Sequence, residues 1–513
     1  MQRCMSQFWQ MRKPRRAIAV WSLVLLFWVS LATPVRAQQS IQPYLDRVVK
    51  NVTEFTLDNG MKFIVLERTT APVVSFFTYA DVGGTDELPG KTGAAHFLEH
   101  LAFKGTPSIG TTDYAAEQKV LDRQDEVFAQ IQAAKAAGKT EEVQRLQAEF
   151  DKLESQADGF VKQNEFGQIV ESAGGVGMNA ATSADYTIYF YSLPANKLEL
   201  WMSLESERFL SPVFREFYKE KQVILEERKL RTENSPIGKT IEAFLDKAYT
   251  VHPYKRPVIG YDEDIRNLTR QDIKTFFQTH YTPKKLTVAV VGDVNPARVK
   301  ELAQTYFGRY PARPEPKSEI TPEPPQTGTR EVTLKLDSQP WYIEGYHRPD
   351  LDHPDNVVYD LITSLMSDGR TSRLYKALVE GKQLALNAQG FSGFPGDKYP
   401  NLVFFYAQTA PNRSVEEVAA ALHEEIERLK TEPVSEQDLD RVKTQARADL
   451  LRSLDSNSGM AQLLAEYQAK TGDWRNLFEE LDRISKVTAA DVQRVARETF
   501  TENNRTIARI LPK

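Results

Sequence analysis

The feature that most constrains the fold is a repeat at long range. Leu268-Thr269-Arg270-Gln271-Asp272-Ile273 aligns without gaps on Val487-Thr488-Ala489-Ala490-Asp491-Val492, and the match continues through Tyr281-Thr282 and Thr287-Val288-Ala289 onto Phe500-Thr501 and Thr506-Ile507-Ala508, at a constant offset of 219. In each copy a Thr-x-x-Asp pair is placed to cap a helix reciprocally, and the helix runs into a β-branched strand. Matching cap, aromatic and strand positions point to duplication of a helix-and-strand domain. Between the copies, Pro311, Pro314, Pro316, Pro322, Pro324 and Pro325 cluster among charged residues, as in an interdomain linker. We therefore expect an α+β protein of two homologous domains, residues 45–305 and 331–513, about a linker at 306–330. Each is a mainly antiparallel sheet packed with helices.

Within the first domain, two β-prone runs flank Asp58-Asn59-Gly60, where Asn-Gly suits a two-residue hairpin turn. Val73–Tyr79 is a further strand, and a helix is expected from near Gly93. Residues 114–162 differ in character, being rich in Ala, Gln, Glu and Lys, with Leu146, Phe150, Leu153 and Ala157 at helical spacing. Gly138 interrupts them. With Thr140 as N-cap and Glu141 and Glu142 behind it, this stretch reads as an inserted pair of antiparallel helices, solvated on the surface.

Arg12, Lys13, Arg15 and Arg16 precede an apolar stretch, Ala17–Ala32, that is short for a membrane span and ends in Val35-Arg36-Ala37. Residues 1–37 thus read as a signal peptide cleaved after Ala37, the rival being an uncleaved N-terminal anchor. Both readings export the body, to a periplasm or beyond. The leader holds six basic and no acidic side chains, so its removal takes the formal net charge from −5 to −11. Such a charge disfavours nucleic acid as a partner. The one cysteine, Cys4, excludes a disulfide scaffold, a thiolate metal cage and a cysteine nucleophile in the body. A metal here must be held by imidazole and carboxylate.

Two of the seven histidines fall within five residues, His96-Phe97-Leu98-Glu99-His100. A chance H-x-x-E-H in a chain of this composition is expected roughly one time in a hundred. On a helix, positions i and i+4 are about 40° apart in rotation and one turn apart in rise, so both imidazoles address one spot. Two neutral imidazoles suit zinc, which for catalysis takes a third protein ligand and leaves a position to water. Glu99, beside the same face, is the candidate general base. Spacing alone leaves the third ligand open among downstream acids such as Glu205, Glu207 and Glu227.

These residues carry a resemblance. Gly93–Thr106 is similar to the inverted zinc motif of the pitrilysin family, which includes insulysin and the mitochondrial processing peptidases. Gly174–Thr182 resembles the family's edge-strand signature, Glu220–Glu227 its third-ligand helix, and His252-Pro253-Tyr254 a following structural motif. The resemblance spans roughly residues 50–513 apart from the helical insertion. It implies that Glu227 is the third ligand of one zinc ion per chain and that Glu220, a heptad earlier, braces a ligand. Glu226, about 100° around the helix, is the poorer candidate. His100 and Glu227 are 127 positions apart, longer than the family's practice, and the insertion lies between them. Asn179 and Ala180 are candidate substrate-binding residues on a strand edge, against the alternative of a buried strand after a Gly turn. His252 reads as a turn residue, and His280, His347, His353 and His423 are assigned no role.

The second domain has no H-x-x-E-H. Gly369–Tyr375 resembles the family's second-domain signature, but where family enzymes follow it with an Arg and a Tyr that hold the substrate carbonyl, this chain reads Leu378–Leu386 with acidic and apolar residues. The expectation is a zinc endopeptidase domain joined to an inactive peptidase-like domain, acting on peptides or unfolded protein segments with a homologous partner subunit that supplies the Arg and Tyr. The competing reading is a non-hydrolytic binding or assembly subunit.

Overall fold

The computed structural model describes residues 48–316 and 320–513. The leader expected at 1–37 lies outside them. Among the described residues no helix is long and apolar enough to cross a membrane.

Among the described residues, eleven strands form two sheets. The first holds β1 (Val52–Thr56), β2 (Lys62–Glu67), β3 (Val73–Ala80), β4 (Val176–Thr182), β5 (Thr187–Pro194) and β6 (Leu286–Gly292), in the order β1-β2-β6-β3-β5-β4. The second holds β7 (Arg330–Leu336), β8 (Trp341–Arg348), β9 (Ala385–Phe394), β10 (Asn401–Thr409) and β11 (Arg505–Pro512), in the order β7-β11-β8-β10-β9. All pairs are antiparallel except β2 with β6 and β7 with β11. Leaving β1 aside, the two orders are the same path. β6 begins at Leu286 and β11 at Arg505, the offset of 219 read from the sequence. The helices before these strands carry the reciprocal caps, Thr269 with Asp272 and Thr488 with Asp491.

The first turn differs from expectation. Leu57–Met61 join β1 to β2, and of these only Gly60 takes a positive φ, +95°. Asn59 instead donates its side-chain amide to the carbonyls of Phe307 and Tyr310, at 2.9 and 2.8 Å. The tertiary tie adds to local turn chemistry, since Asn59 Oδ1 also accepts from the Met61 N–H at 3.1 Å.

Seven helices bear on the site: α1 (Ala94–Leu101), α2 (Tyr114–Ala136), α3 (Thr140–Asp158), α4 (Glu165–Ser172), α5 (Leu198–Leu210), α6 (Phe217–Arg228) and α7 (Pro236–Ala248). α2 and α3 form a helical hairpin, turning at Gly138 with φ +66°. Lys139, not Thr140, takes the N-cap position of α3, and it caps nothing with its side chain. Nor is the hairpin merely solvated. Val127, Ile131, Leu146 and Phe150 are buried in the main core of the first half. Phe128 and Phe150 each stand 4.9 Å, centroid to centroid, from Tyr218 on α6. The buried Arg215, just before α6, pairs with the buried Glu117 of α2 at 2.9 Å. The hairpin braces the helix that carries Glu220 and Glu227.

The halves exchange helices. α7, from the first half, buries Phe244, Leu245 and Ala248 against Ile343, Leu402, Phe404 and Ala508 of the second sheet. Gly345 lies beneath the Phe244 ring, where a Cβ would stand 2.6 Å from Cζ. In return the helix Asn457–Thr471 packs across β3 and β6 of the first sheet, burying Met460, Ala461, Leu464 and Ala465. At an offset of 219, Pro236 falls on Asp455 and Ala248 on Tyr467, so the two helices are counterparts. The proline-rich connection is docked as well: Glu323 accepts from the backbone N–H groups of Thr250, Val251 and His252 at 2.8–3.1 Å. Truncating Phe244→Ala opens a cavity at this exchange. It is expected to cost about 3–5 kcal/mol, read as a lower denaturant midpoint for the whole chain.

Candidate metal centre

α1 is set by its start. Gly93 caps it at φ +89°, where a Cβ would meet the Ile259 carbonyl oxygen at 2.8 Å. Glu87 accepts from the N–H groups of Gly93 and Ala95 at 3.0 and 2.8 Å, satisfying donors a helix start leaves open. Burial pushes the Glu87 carboxyl up to about 8. α1 then packs on α6 through stacked Phe97 and Phe217, centroids 4.5 Å apart.

This contact brings His96, His100 and Glu227 together, with one donor atom from each lying within 4.8 Å of the other two. Glu227 Oε2 stands 3.7 Å from His96 Nε2 and 3.4 Å from His100 Nε2. Ligands about 2.0–2.1 Å from a tetrahedral ion lie about 3.3–3.4 Å apart, so the donor set fits zinc in spacing as well as in kind. Around it, Glu220 Oε2 meets His100 Nδ1 at 3.2 Å, and Lys104 Nζ meets Glu220 Oε1 at 2.6 Å. The far ring nitrogen of His100 is thereby engaged and Nε2 is aimed inward. His96 Nδ1 is buried with no hydrogen-bond partner among the described residues. Beyond α6 the helix widens over Lys229–Glu233, and Arg231 Nη1 returns to Glu227 Oε1 at 2.9 Å.

The other acids are engaged elsewhere. Glu226 faces solvent with Lys229 at 3.5 Å, Glu205 is buried with Arg208 at 3.1 Å, and Glu207 meets Arg309 at 2.8 Å. Burial holds the His96 imidazole down to about 3, the neutral form a metal requires. Burial also opposes charge on His100, but the Glu220 hydrogen bond and carboxylate outweigh it and raise the group. Burial raises Glu99 despite the bond that Thr182 Oγ1 donates to its Oε2 at 2.6 Å.

Asn179 and Ala180 lie on β4, the outer strand of the first sheet, Asn179 exposed and Ala180 buried. Asn179 Oδ1 accepts from the Ala180 N–H at 2.9 Å. Both line a cleft of about 330 Å³ with Glu99, His100 and Glu220. His252 closes a turn, its Nδ1 accepting from Tyr254 N at 3.1 Å. Sequence reasoning missed Thr182, Lys104 and Arg231 as partners. Only Arg231 had a local signal, four residues after Glu227 on a helix. A Glu220→Gln variant is expected to bind metal about 10–100-fold more weakly, because the His100 ring loses its charged brace; chelator competition reads this directly.

Residues 63–123 and 156–262 match insulinase (peptidase family M16), and 267–446 match the peptidase M16 inactive domain. The chain belongs to peptidase family M16. The M16 match breaks inside α2 and resumes inside α3. Zinc protease PqqE of Helicobacter pylori is 32% identical over 466 residues, 89% of this chain and 92% of that protein. The crystal structure of a protease from Helicobacter pylori superposes with a TM-score of 0.76 at 30% identity, covering 90% of this chain and 99% of that one. The periplasmic protease PqqL of Escherichia coli shares the M16 fold, with a TM-score of 0.66 at 18% identity, over 90% of this chain and 48% of PqqL.

Proposed function

We propose that this M16 chain is an exported zinc-dependent endopeptidase that hydrolyses peptides or unfolded protein segments. The observation that carries the reading is the convergence of His96, His100 and Glu227 from two packed helices onto one point, with Glu99 alongside. When bound there, zinc supplies Lewis acidity that acidifies water and polarises a scissile carbonyl. His96, His100 and Glu227 would hold the ion, and Glu220 orients His100. Glu99 takes the proton of the attacking water and passes it to the leaving amine. Thr182 fixes Glu99 through Oε2; among the described residues Oε1 has no hydrogen-bond partner. Exposed β4, with Asn179 and Ala180 at the cleft, offers an edge along which an extended peptide pairs through its backbone.

The relatives' names as zinc proteases support the metal and the reaction class. The apolar and acidic Leu378–Leu386 stretch supports a homologous partner chain that brings the Arg and Tyr. PqqL, whose chain is about twice the length this one covers, is a precedent in fold for such pairing. The leader at 1–37 and the name of PqqL as a periplasmic protease support export.

Cleavage of a quenched unstructured peptide, with and without chelator, tests the proposal. Turnover lost on chelation and regained with about one equivalent of zinc is expected. Chelator-resistant cleavage would overturn the metal reading. A folded, zinc-loaded protein inert alone and with its partner would favour the non-hydrolytic subunit.

A further inference from the structure

The second half contains a cavity of about 340 Å³ between the helices that precede β9 and those that follow β10. Its place in the chain is that of the metal cleft. In the first half the cleft is lined by the end of α1, the segment entering α4, Asn179 and Ala180 of β4, and the start of α6. In the second half the cavity is lined from Asn356–Ser367, the segment entering the helix Tyr375–Gly381, and the helices Val415–Thr431 and Glu436–Asp455. Duplication has kept the hollow and reversed its charge. Glu99, Glu165, Glu216 and Glu220 face the first cleft against Lys104 and Lys162, whereas Arg373, Lys376, Arg428 and Arg441 line the second against Glu425 and Asp438.

Those two carboxylates are already engaged. Glu425 holds Arg428 at 3.0 Å, and Asp438 stands 3.7 Å from Arg441. Among the described residues Arg373 and Lys376 have no ion-pair partner, and Arg373 Nη1 and Arg441 Nε are buried without an acceptor. A guanidinium does not shed its charge to escape such a setting. Its planar fork matches the paired oxygens of a carboxylate or phosphate.

We propose that this cavity is a binding site for a small oxyanion, a phosphate or carboxylate group on a small molecule, gripped by Arg373 and Lys376. The volume suits a small ligand rather than a chain. The site is independent of the metal chemistry proposed above.

Calorimetric titration of the full chain at low ionic strength, with inorganic phosphate and separately with citrate, tests it. One saturable site is expected for at least one probe, and which probe binds tells phosphate from carboxylate. Lys376→Met, at an exposed position, is expected to weaken binding about tenfold, and Arg373→Met to abolish it. His100→Ala, which disables the metal cleft, is expected to leave the affinity unaltered. Three results would overturn the site: no saturation by either probe, full affinity in Lys376→Met, or loss of binding in His100→Ala.

Discussion

A Glu99→Gln protein is expected to keep about one zinc per chain and lose peptide turnover by a factor of about 10²–10⁴. The amide fills the same volume and still accepts from Thr182 Oγ1, so the cleft keeps its shape. What it lacks is the basic oxygen that receives a proton from water. His96, His100 and Glu227 converge without help from Glu99, whose side chain, among the described residues, accepts its hydrogen bond from Thr182 on β4. Metal content by mass spectrometry should therefore match the parent. Single-turnover cleavage should fall while peptide binding persists. Retained turnover with retained metal would remove Glu99 from the chemistry; loss of both would make it structural.

The parts of this molecule legible in the sequence are those that local rules write. The repeat at 219 foretells two sheets of one topology because cap and strand residues are fixed by short-range geometry. His96 and His100 announce a shared face because four residues on a helix are one turn. What stayed hidden depends on long-range packing. Nothing in Pro236–Ala248 says that Phe244 belongs to the other half's sheet, since an apolar helix face is equally served by either. The hairpin at 114–162 reads as solvated from its wealth of Ala, Gln, Glu and Lys, yet Phe128 and Phe150 find Tyr218. Asn59 carries a turn signature but satisfies two distant carbonyls. Thr182 was in view only as part of a strand, because a hydroxyl 83 positions from Glu99 has no spacing rule to reveal it.

Glu227→Ala should separate metal capture from folding. Without that carboxylate two imidazoles remain, a poor cage for a divalent ion, and the only anionic donor of the set is gone. An affinity loss of about 100-fold or more is expected in chelator competition. Turnover should fall with metal occupancy and not be rescued at ordinary zinc concentrations. The fold should survive. α6 is held by the Phe97–Phe217 stack, by Tyr218 against the hairpin and by Arg215 with Glu117, none of which involves Glu227. The thermal midpoint of the metal-free variant should therefore lie close to that of the metal-free parent. Glu226→Ala is the matched control: one residue away but turned to solvent, it should change neither metal affinity nor turnover. If Glu226→Ala lost metal and Glu227→Ala kept it, the helix would be presenting its other face to the histidines. Zinc would then be held by a geometry unlike the one in which Glu227 Oε2 stands 3.4 Å from His100.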